Sequence, residues 1–379
     1  MSNFHSIKFI ITADFPGIKA YGIVTKETAL AAKSLGFNVE VVCPEYKWSQ
    51  KNLDFVIKIN YVKSFLFTPL AIIQEHLWKY LRFLIFKIHV FIFSFKVRKT
   101  VLKNEIYWFR DIFSCYLISS KILGLNGMVI LELHRIPSKI DLILIKKMAP
   151  RVVLVSISEE INKYLELRMV KSRISPPAVP PRFLREKENT KQYDLGYFGS
   201  FKSYGVEKDV DILIRVLAIL PPNRISSFRI LYVGTGEKGK DYLTKMMSHL
   251  ELDQSMVTFI NHLDYDLMPD MMSKCEFLVF PYPSHPDFIG SFPVKLLEYA
   301  ASSTSILAAD TSLARKLFNE DCVWFYEAQN HHDLFTIYLK ALNNLEIRDT
   351  KIAKSLELAK KFSYTNKVSH ILNGLGSSN

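Results

Sequence analysis

The chain has 379 residues, of which 49% are hydrophobic and 23% charged. That composition is typical of globular proteins and excludes a disordered chain, a collagen-like chain and a small disulfide scaffold. Its four cysteines lie far apart and form no CxxC pair, which indicates reduced thiols in the cytoplasm and no zinc site. The apolar run near the N-terminus is too short for a signal peptide, so we expect a cytoplasmic protein.

The net charge of +12 is unevenly distributed. Residues 1–200 hold 30 Lys and Arg against 16 Asp and Glu, whereas residues 201–379 hold 19 against 21. A basic half predicts an anionic partner, and nucleic acid, an acidic membrane surface and an anionic substrate all satisfy that condition.

The first half of the chain alternates between strand and helix patterns. We predict strands at Ile7–Thr12, Val39–Val42, Ile106–Trp108, Met128–Leu133 and Val152–Ser156, and helices at Thr25–Leu35, Asp111–Leu123 and Glu159–Leu167. Strand, helix and strand in succession form βαβ units, which imply a parallel sheet.

Residues 64–100 combine many aromatic side chains with a basic stripe in which Arg82, His89 and Lys96 recur every seven residues. Charged residues interrupt the segment too often for a membrane span of ~20 apolar residues. One interpretation is a helix packed on the first sheet with its bases in solvent. The other is contact with an anionic membrane surface, since basic and aromatic residues both suit that interface.

A proline-rich stretch separates this half from a second alternating series. Strands are predicted at Tyr193–Phe198, Phe228–Val233, Val257–Ile260, Phe277–Phe280, Ile306–Ala309 and Val323–Tyr326, with helices at Lys208–Leu220, Lys240–Leu250, Pro293–Ala301, Thr350–Phe362 and Asn366–Leu372. We therefore expect an α/β protein with two doubly wound domains facing across a cleft, residues 1–175 and 193–362. A linker, 176–192, joins them, and the C-terminal helix, 363–379, packs back on the first domain.

Several loops that follow predicted strands carry candidate anion ligands. Residues 290–298 (GSFPVKLLE) open a helix, whose free N–H groups and dipole favour a diphosphate, with Lys295 adding a cation and Glu298 able to bind a ribose diol. Residues 199–208 (GSFKSYGVEK) add Lys202 and Lys208, and 233–237 (VGTGE) is glycine-rich without the GxGxxG spacing. Ordinary surface loops remain the alternative at each place.

In the first half, residues 131–137 (LELHRIP) place Glu132 and His134 two positions apart, on the same side of a strand. The pair is either structural or part of a sugar site. Loop 15–22 (FPGIKAYG) can supply backbone donors to a phosphate. Asp209 and Asp211 spell a DxD motif but fall at a predicted helix start, so we expect no metal there. The basic stretches lack the features of a nucleic-acid module, and we expect no nucleic-acid partner.

These segments, in this order, resemble the family 4 glycosyltransferases of the GT-B fold over nearly the whole chain. The most specific stretch, SFPVKLLEYAASSTSILAAD, is similar to the family signature SPxKxxEYMAxGxPVVA. Glu298 matches the second glutamate of the E-x7-E motif and Gly290 stands at the first, with Asp287 as a candidate substitute. Lys208 resembles the lysine of the KG motif, where Asp209 replaces the glycine.

The resemblance implies a retaining, metal-independent sugar transfer from a nucleotide diphosphate donor to a glycan or lipid-linked acceptor, in polysaccharide or glycolipid synthesis. It implies no cofactor besides the donor, which the second domain binds, and an acceptor in the first. The candidate catalytic residues are His134, Glu132 and Asp287. The candidate donor-binding residues are Gly22, Gly199, Ser200, Lys202, Lys208, Gly234, His262, Gly290, Ser291, Phe292, Pro293, Val294, Lys295 and Glu298.

Two other functions remain open at this point. A sugar-nucleotide epimerase on the same fold would act without an acceptor and would leave segment 64–100 without a purpose. A catalytically silent protein on the cytoplasmic face of the membrane is suggested by the missing first glutamate at position 290. Assays of sugar-nucleotide hydrolysis or exchange separate these alternatives.

Overall fold

The computed structural model of the protein describes residues 4–12, 15, 20–44, 57–62, 75–184, 190–203, 205–288 and 291–373. Side chains are described for these residues except residue 20 and residues 75–84. The chain divides into two compact units, one made of Met1–Pro176 and Tyr364–Asn379, the other of Pro177–Ser363. The expectation of a doubly wound α/β fold is confirmed in both units.

The first unit contains a parallel sheet of seven strands in the order β3-β2-β1-β4-β5-β6-β7. Its strands are β1 Ser6–Ile10, β2 Asn38–Pro44, β3 Lys58–Val62, β4 Ile106–Phe109, β5 Met128–Leu133, β6 Val153–Ser156 and β7 Arg173–Ile174. Its helices are α1 Ala20–Ser34, α2 Glu75–Lys99, α3 Ile112–Leu123, α4 Lys139–Met148 and α5 Glu159–Glu166. Of these, β3, α4 and β7 were not predicted from the sequence.

Helices α2, α3, α4 and α5 cover one face of this sheet. Their buried side chains share a core with alternate residues of the strands, such as Tyr107 and Leu131. The chain runs from β1 to β2 in one direction along the sheet and from β3 through β6 in the other. Because crossovers between parallel strands are right-handed, α1 lies on the opposite face. Strand residues of the other parity, among them Trp108 and Glu132, therefore point toward α1.

The second unit contains a parallel sheet of six strands in the order β12-β11-β8-β13-β14-β15, and a two-stranded hairpin, β9-β10. The strands are β8 Tyr193–Phe198, β9 Lys202–Ser203, β10 Val206–Glu207, β11 Ile230–Val233, β12 Val257–Ile260, β13 Cys275–Phe280, β14 Ser305–Ala309 and β15 Trp324–Tyr326. The helices are α6 Ile212–Ala218, α7 Pro222–Ile225, α8 Gly236–His249, α9 Met268–Ser273, α10 Val294–Ala301, α11 Ser312–Arg315, α12 His331–Leu342 and α13 Leu345–Lys361.

Two helices of this unit begin at other residues than predicted. Helix α6 begins at Ile212, not at Lys208, and the backbone N–H groups of Lys208 and Asp209 donate to the carbonyls of Phe201 and Pro281 in neighbouring loops. Helix α8 begins at Gly236, four residues earlier than expected. Lys208 therefore lies in a loop before α6.

The last helix, α14 Tyr364–Asn373, belongs to the first unit and packs against α1. It buries Val368, Ile371 and Leu372. Part of the segment expected to be a linker is also packed, since Val179 and Phe183 are buried in the core of the second unit. None of the helices in the described part of the chain combines the length and hydrophobicity needed to cross a membrane.

Candidate active site

In the second unit, the predicted glycine loops leave neighbouring strands at the carboxyl edge of the sheet. Gly199 follows β8 and Gly234 follows β11, which pair directly. The N–H of Gly199 donates to the carbonyl of Val233 over 2.8 Å. Ligands of open α/β sheets bind at this edge, particularly where the strand order reverses, as it does beside β8.

Glycine is required at position 199 because the backbone approaches other groups closely. A Cβ there would lie 2.8 Å from the hydroxyl oxygen of Tyr197 and 3.7 Å from Nζ of Lys208. At Gly234 the backbone has a φ of +85°, a left-handed conformation that favours glycine. The missing side chain at position 199 leaves the backbone open beside Lys208, and Gly234 lies against Gly199.

Lys208 is a buried cation held by neutral groups. Its Nζ donates to Oγ of Ser200 over 3.2 Å and lies 4.6 Å from the centre of the Tyr282 ring. Burial, together with the positive charge of Lys295, lowers the pKa of Lys208 to about 7. Across the described ranges, no carboxylate forms an ion pair with Lys208. This lysine is therefore ready to receive an anionic ligand.

Helix α10 carries a charged pair, Lys295 and Glu298. Nζ of Lys295 lies 2.6 Å from Oε2 of Glu298, one turn along the helix, and the Tyr265 hydroxyl donates to Oε1 over 2.9 Å. Glu298 is buried, whereas Lys295 is partly exposed. Pro293 offers no side chain to cap the start of α10, and among the described residues the Val294 N–H donates to the Phe292 carbonyl over 2.8 Å. The N–H groups that follow it in the first turn point toward the start of the helix, where an anion is favoured.

The other residues predicted in this unit occupy more peripheral positions. Lys202 is about half exposed and pairs with Glu207 at 2.6 Å. Asp287 is also exposed, and its nearest described charged partner is His285 at 3.7 Å. His262 is exposed, Ser291, Phe292 and Val294 are half-buried, and Pro293 is buried. Gly290 lies outside the described residues.

In the first unit, an acid–histidine pair lies at the end of β5, with a buried carboxylate at Glu132 and a partly exposed imidazole at His134. Nε2 of His134 lies 3.3 Å from Oε1 of Glu132, as their spacing along a strand predicts. Lys367 of α14 forms an ion pair with the same carboxylate, and the Trp108 indole donates to Oε2 over 3.3 Å. Burial alone would raise the pKa of Glu132, but the charge of Lys367, the contact with His134 and the charge of Arg110 hold it well below its usual value.

Arg110, at the end of β4, connects this pair to α1. Its Nε lies 2.9 Å from Nε2 of His134, and its Nη1 donates to the Tyr21 carbonyl over 3.0 Å. Burial lowers the pKa of His134 to about 4, where Glu132 opposes the shift and Arg110 adds to it. His134 is therefore neutral at physiological pH. Gly22, predicted to bind the donor, follows Tyr21 within α1.

Sequence reasoning did not identify Arg110 or Lys367 as members of this cluster. Arg110 directly follows β4, the neighbour of the strand that carries His134, so its position at a strand end was a usable signal. Lys367 is 235 residues from Glu132, and no local pattern indicates the pairing.

The second unit matches a known protein family. Residues 183–363 match the family described as "Glycosyl transferases group 1". This range covers the described residues of the Lys208 and Glu298 cluster. None of the curated proteins matches the chain.

Solved structures match over nearly the full length of the chain. Sucrose-phosphate synthase from Thermosynechococcus elongatus is 14% identical with a TM-score of 0.71, over 99% of this chain and 100% of that one. HepE from Anabaena, in complex with UDP and glucose, is 14% identical with a TM-score of 0.69, over 98% and 100%. A glycosyltransferase from Rickettsia africae is 14% identical with a TM-score of 0.71, over 100% of both chains. These similarities show the fold, two Rossmann-like units of the GT-B type.

Proposed function

We propose that the chain is a glycosyltransferase, because its second unit matches the group 1 family, and that it transfers a sugar from a uridine diphosphate donor, with retention, to a glycan or lipid-linked acceptor. The nucleotide binds the second unit and the acceptor binds the first. The reaction serves polysaccharide or glycolipid synthesis at the cytoplasmic face of the membrane, where the protein attaches peripherally.

The observation that carries the donor assignment is the buried Lys208 beside two glycine loops. A cation that is removed from water and given no carboxylate is unfavourable by itself, as its lowered pKa of about 7 reflects. A diphosphate supplies the missing negative charge. The choice of uridine rests on the Anabaena neighbour, which holds UDP and glucose.

Glu298 can bind a ribose without giving up its present partners. A carboxylate accepts about four hydrogen bonds. Tyr265 and Lys295 use one position on each oxygen of Glu298, which leaves two for the hydroxyl groups of a ribose. The uncapped start of α10 and Lys295 lie on the same helix, where they favour the adjoining phosphates.

The same groups assist departure of the leaving group. When the bond between sugar and diphosphate breaks, negative charge grows on the diphosphate. Lys208, Lys295 and the N–H groups at the start of α10 stabilise that charge. We propose that these groups serve in place of a metal ion. By family resemblance His134 acts at the transferred sugar, as a neutral hydrogen-bonding group.

The test measures UDP affinity by isothermal titration with Lys208→Ala and Glu298→Gln. Each variant removes a charge-assisted interaction, so we expect a loss of roughly 1.5–3 kcal/mol. Lys245→Gln on the exposed side of α8 is the matched control and should bind like the parent chain. A thermal-shift series with UDP-, GDP- and ADP-sugars identifies the nucleotide. Unchanged UDP affinity in both site variants would show that the proposed donor site is wrong.

A further inference from the structure

Helix α2 exposes an apolar ridge on the side that faces away from its core. Val90, Phe93 and Val97 are buried against the sheet. At 100° per residue, Phe91 and Phe95 lie roughly opposite them on the helix. These two side chains are 51% and 57% exposed. Nζ of Lys99 lies 5.0 Å from the centre of the Phe95 ring, so the ridge ends beside a cation.

Helix α4 exposes a second apolar ridge. Ile145 and Met148 are buried in the core, whereas Ile140 and Ile143 are 72% and 56% exposed. Its exposed bases, Lys139, Lys146 and Lys147, surround Ile143 on the helix surface. An outward-facing isoleucine pair among lysines has no role in the packing of the first unit.

Both ridges belong to one layer of the first unit. Helix α3 packs against α2 and α4, and all three share one core on one face of the sheet. The exposed charges on residues 85–99 of α2 and on helices α3 and α4 have a single sign. Residues 85–99 and helix α3 contain no acidic residue, and the one acid of α4, Asp141, is buried in a capping box with Ser138.

We propose that the outer surface of α2, α3 and α4 is a docking surface for an anionic lipid bilayer, with Phe91 and Phe95 on one side and Ile140 and Ile143 on the other as insertion points. Lysines around the two ridges fit anionic headgroups, and the apolar side chains fit the boundary of the acyl chains. A bilayer is broad enough to engage both ridges, which an isolated phosphate is not.

This inference adds a membrane surface to the unit that is proposed to bind the acceptor, and it rests on the proposed function only for the assumption that the acceptor is lipid-linked. It extends beyond segment 64–100, because α4 supplies half of the surface. The assay measures binding without turnover. If the parent chain binds UDP but not anionic vesicles, this inference alone is contradicted. If the parent chain binds anionic vesicles but not UDP, the proposed donor site alone is contradicted.

The experiment is flotation of the full chain with vesicles of neutral phosphatidylcholine, or of phosphatidylcholine with 30% phosphatidylglycerol, the latter also at high salt. We expect salt-sensitive binding to the anionic vesicles and little to the neutral ones. Replacing Lys99, Lys146 and Lys147 with glutamine should lower the partition coefficient about a hundredfold, since each basic residue near the surface contributes about fivefold.

The apolar half of the surface is tested by two double variants, Phe91→Ser with Phe95→Ser, and Ile140→Ser with Ile143→Ser. Each should weaken binding by about tenfold or more, because apolar area no longer leaves water. Leu345→Ser with Ile347→Ser is the matched control, since these side chains of the second unit are 57% and 48% exposed. Lys238, Lys245 and Lys340, also in the second unit and exposed, provide the control for charge.

Three outcomes would overturn the proposal. Equal flotation with neutral and anionic vesicles, or none with either, would exclude recognition of anionic lipid. Equal losses in the control variants would show that the surface of α2 to α4 has no special role. Sedimentation that shows a dimer of the parent chain and a monomer of the Phe91 and Phe95 variant would assign the ridge to a second copy of the chain.

Discussion

Removing Lys367 is expected to destabilise the first unit strongly. Its ammonium and the Glu132 carboxylate are only 3% and 1% exposed as side chains. Lys367→Met keeps most of the packing of the side chain but leaves a carboxylate buried without its closest cation. Breaking a buried ion pair from one side costs about 3–5 kcal/mol, most of it for the charge that stays behind.

The double variant Lys367→Met with Glu132→Gln separates charge from packing. Glutamine can still accept the hydrogen bond from Trp108. Because neither partner then carries a charge, most of the lost stability should return. The stability of the single variant relative to the parent should also fall as pH rises above about 4.3. Above that pH Glu132 is ionised in the unfolded chain, whereas burial without Lys367 opposes its ionisation in the folded unit.

Amide hydrogen exchange is the suitable measurement, because a chain of two units does not unfold as one transition. Exchange in β5 should accelerate by two or more orders of magnitude in Lys367→Met, since each 1.4 kcal/mol is a factor of ten. Exchange in β11 of the second unit serves as the internal control. A loss below 1 kcal/mol, or a double variant no more stable than the single one, would refute the reasoning.

Two further predictions concern the pH dependence and the turnover of the enzyme. The affinity for UDP should fall as pH rises above about 7, because Lys208 loses its proton there in the free protein and must regain it to bind an anion. Calorimetric titration with UDP in buffers of different ionisation heats should show that binding takes up a proton, and this uptake should be absent in Lys208→Met. A UDP affinity that stays constant from pH 6 to 9 would contradict this prediction. His134→Ala should bind UDP normally and turn over at least a hundredfold more slowly, and parent-like turnover would remove His134 from the site.

The sequence was sufficient to predict those parts of the fold that have a clear hydrophobic period. The buried strands of both sheets and the pairing of Glu132 with His134 follow from spacing alone. Helix α4 was missed for a physical reason: Ile140 and Ile143 face solvent, so its apolar residues do not follow one face of a helix. Strand β3 was missed because Lys58–Val62 lies at the sheet edge and is only half-buried.

The site was less predictable because its members come from distant parts of the chain. Tyr265 reaches Glu298 across 33 residues, and Lys367 reaches Glu132 across 235. Local patterns contain the strand ends and the helix start, which is why Lys295 and Lys208 could be named in advance. Local sequence patterns do not reveal the tertiary contacts, and these contacts decide which buried charge is paired within the chain and which can pair with a ligand.

The two buried lysines of this protein illustrate that distinction. Lys367 of α14 is buried and forms an ion pair with Glu132, so its charge is neutralised within the first unit. Lys208 is buried to a similar extent, but its described contacts are a serine hydroxyl, an aromatic ring and the repulsion of Lys295. Burial penalises both charges, and within the described residues only the first is compensated by a carboxylate. Because an anion would compensate the second charge, Lys208 by itself favours a negatively charged ligand, independently of any family resemblance.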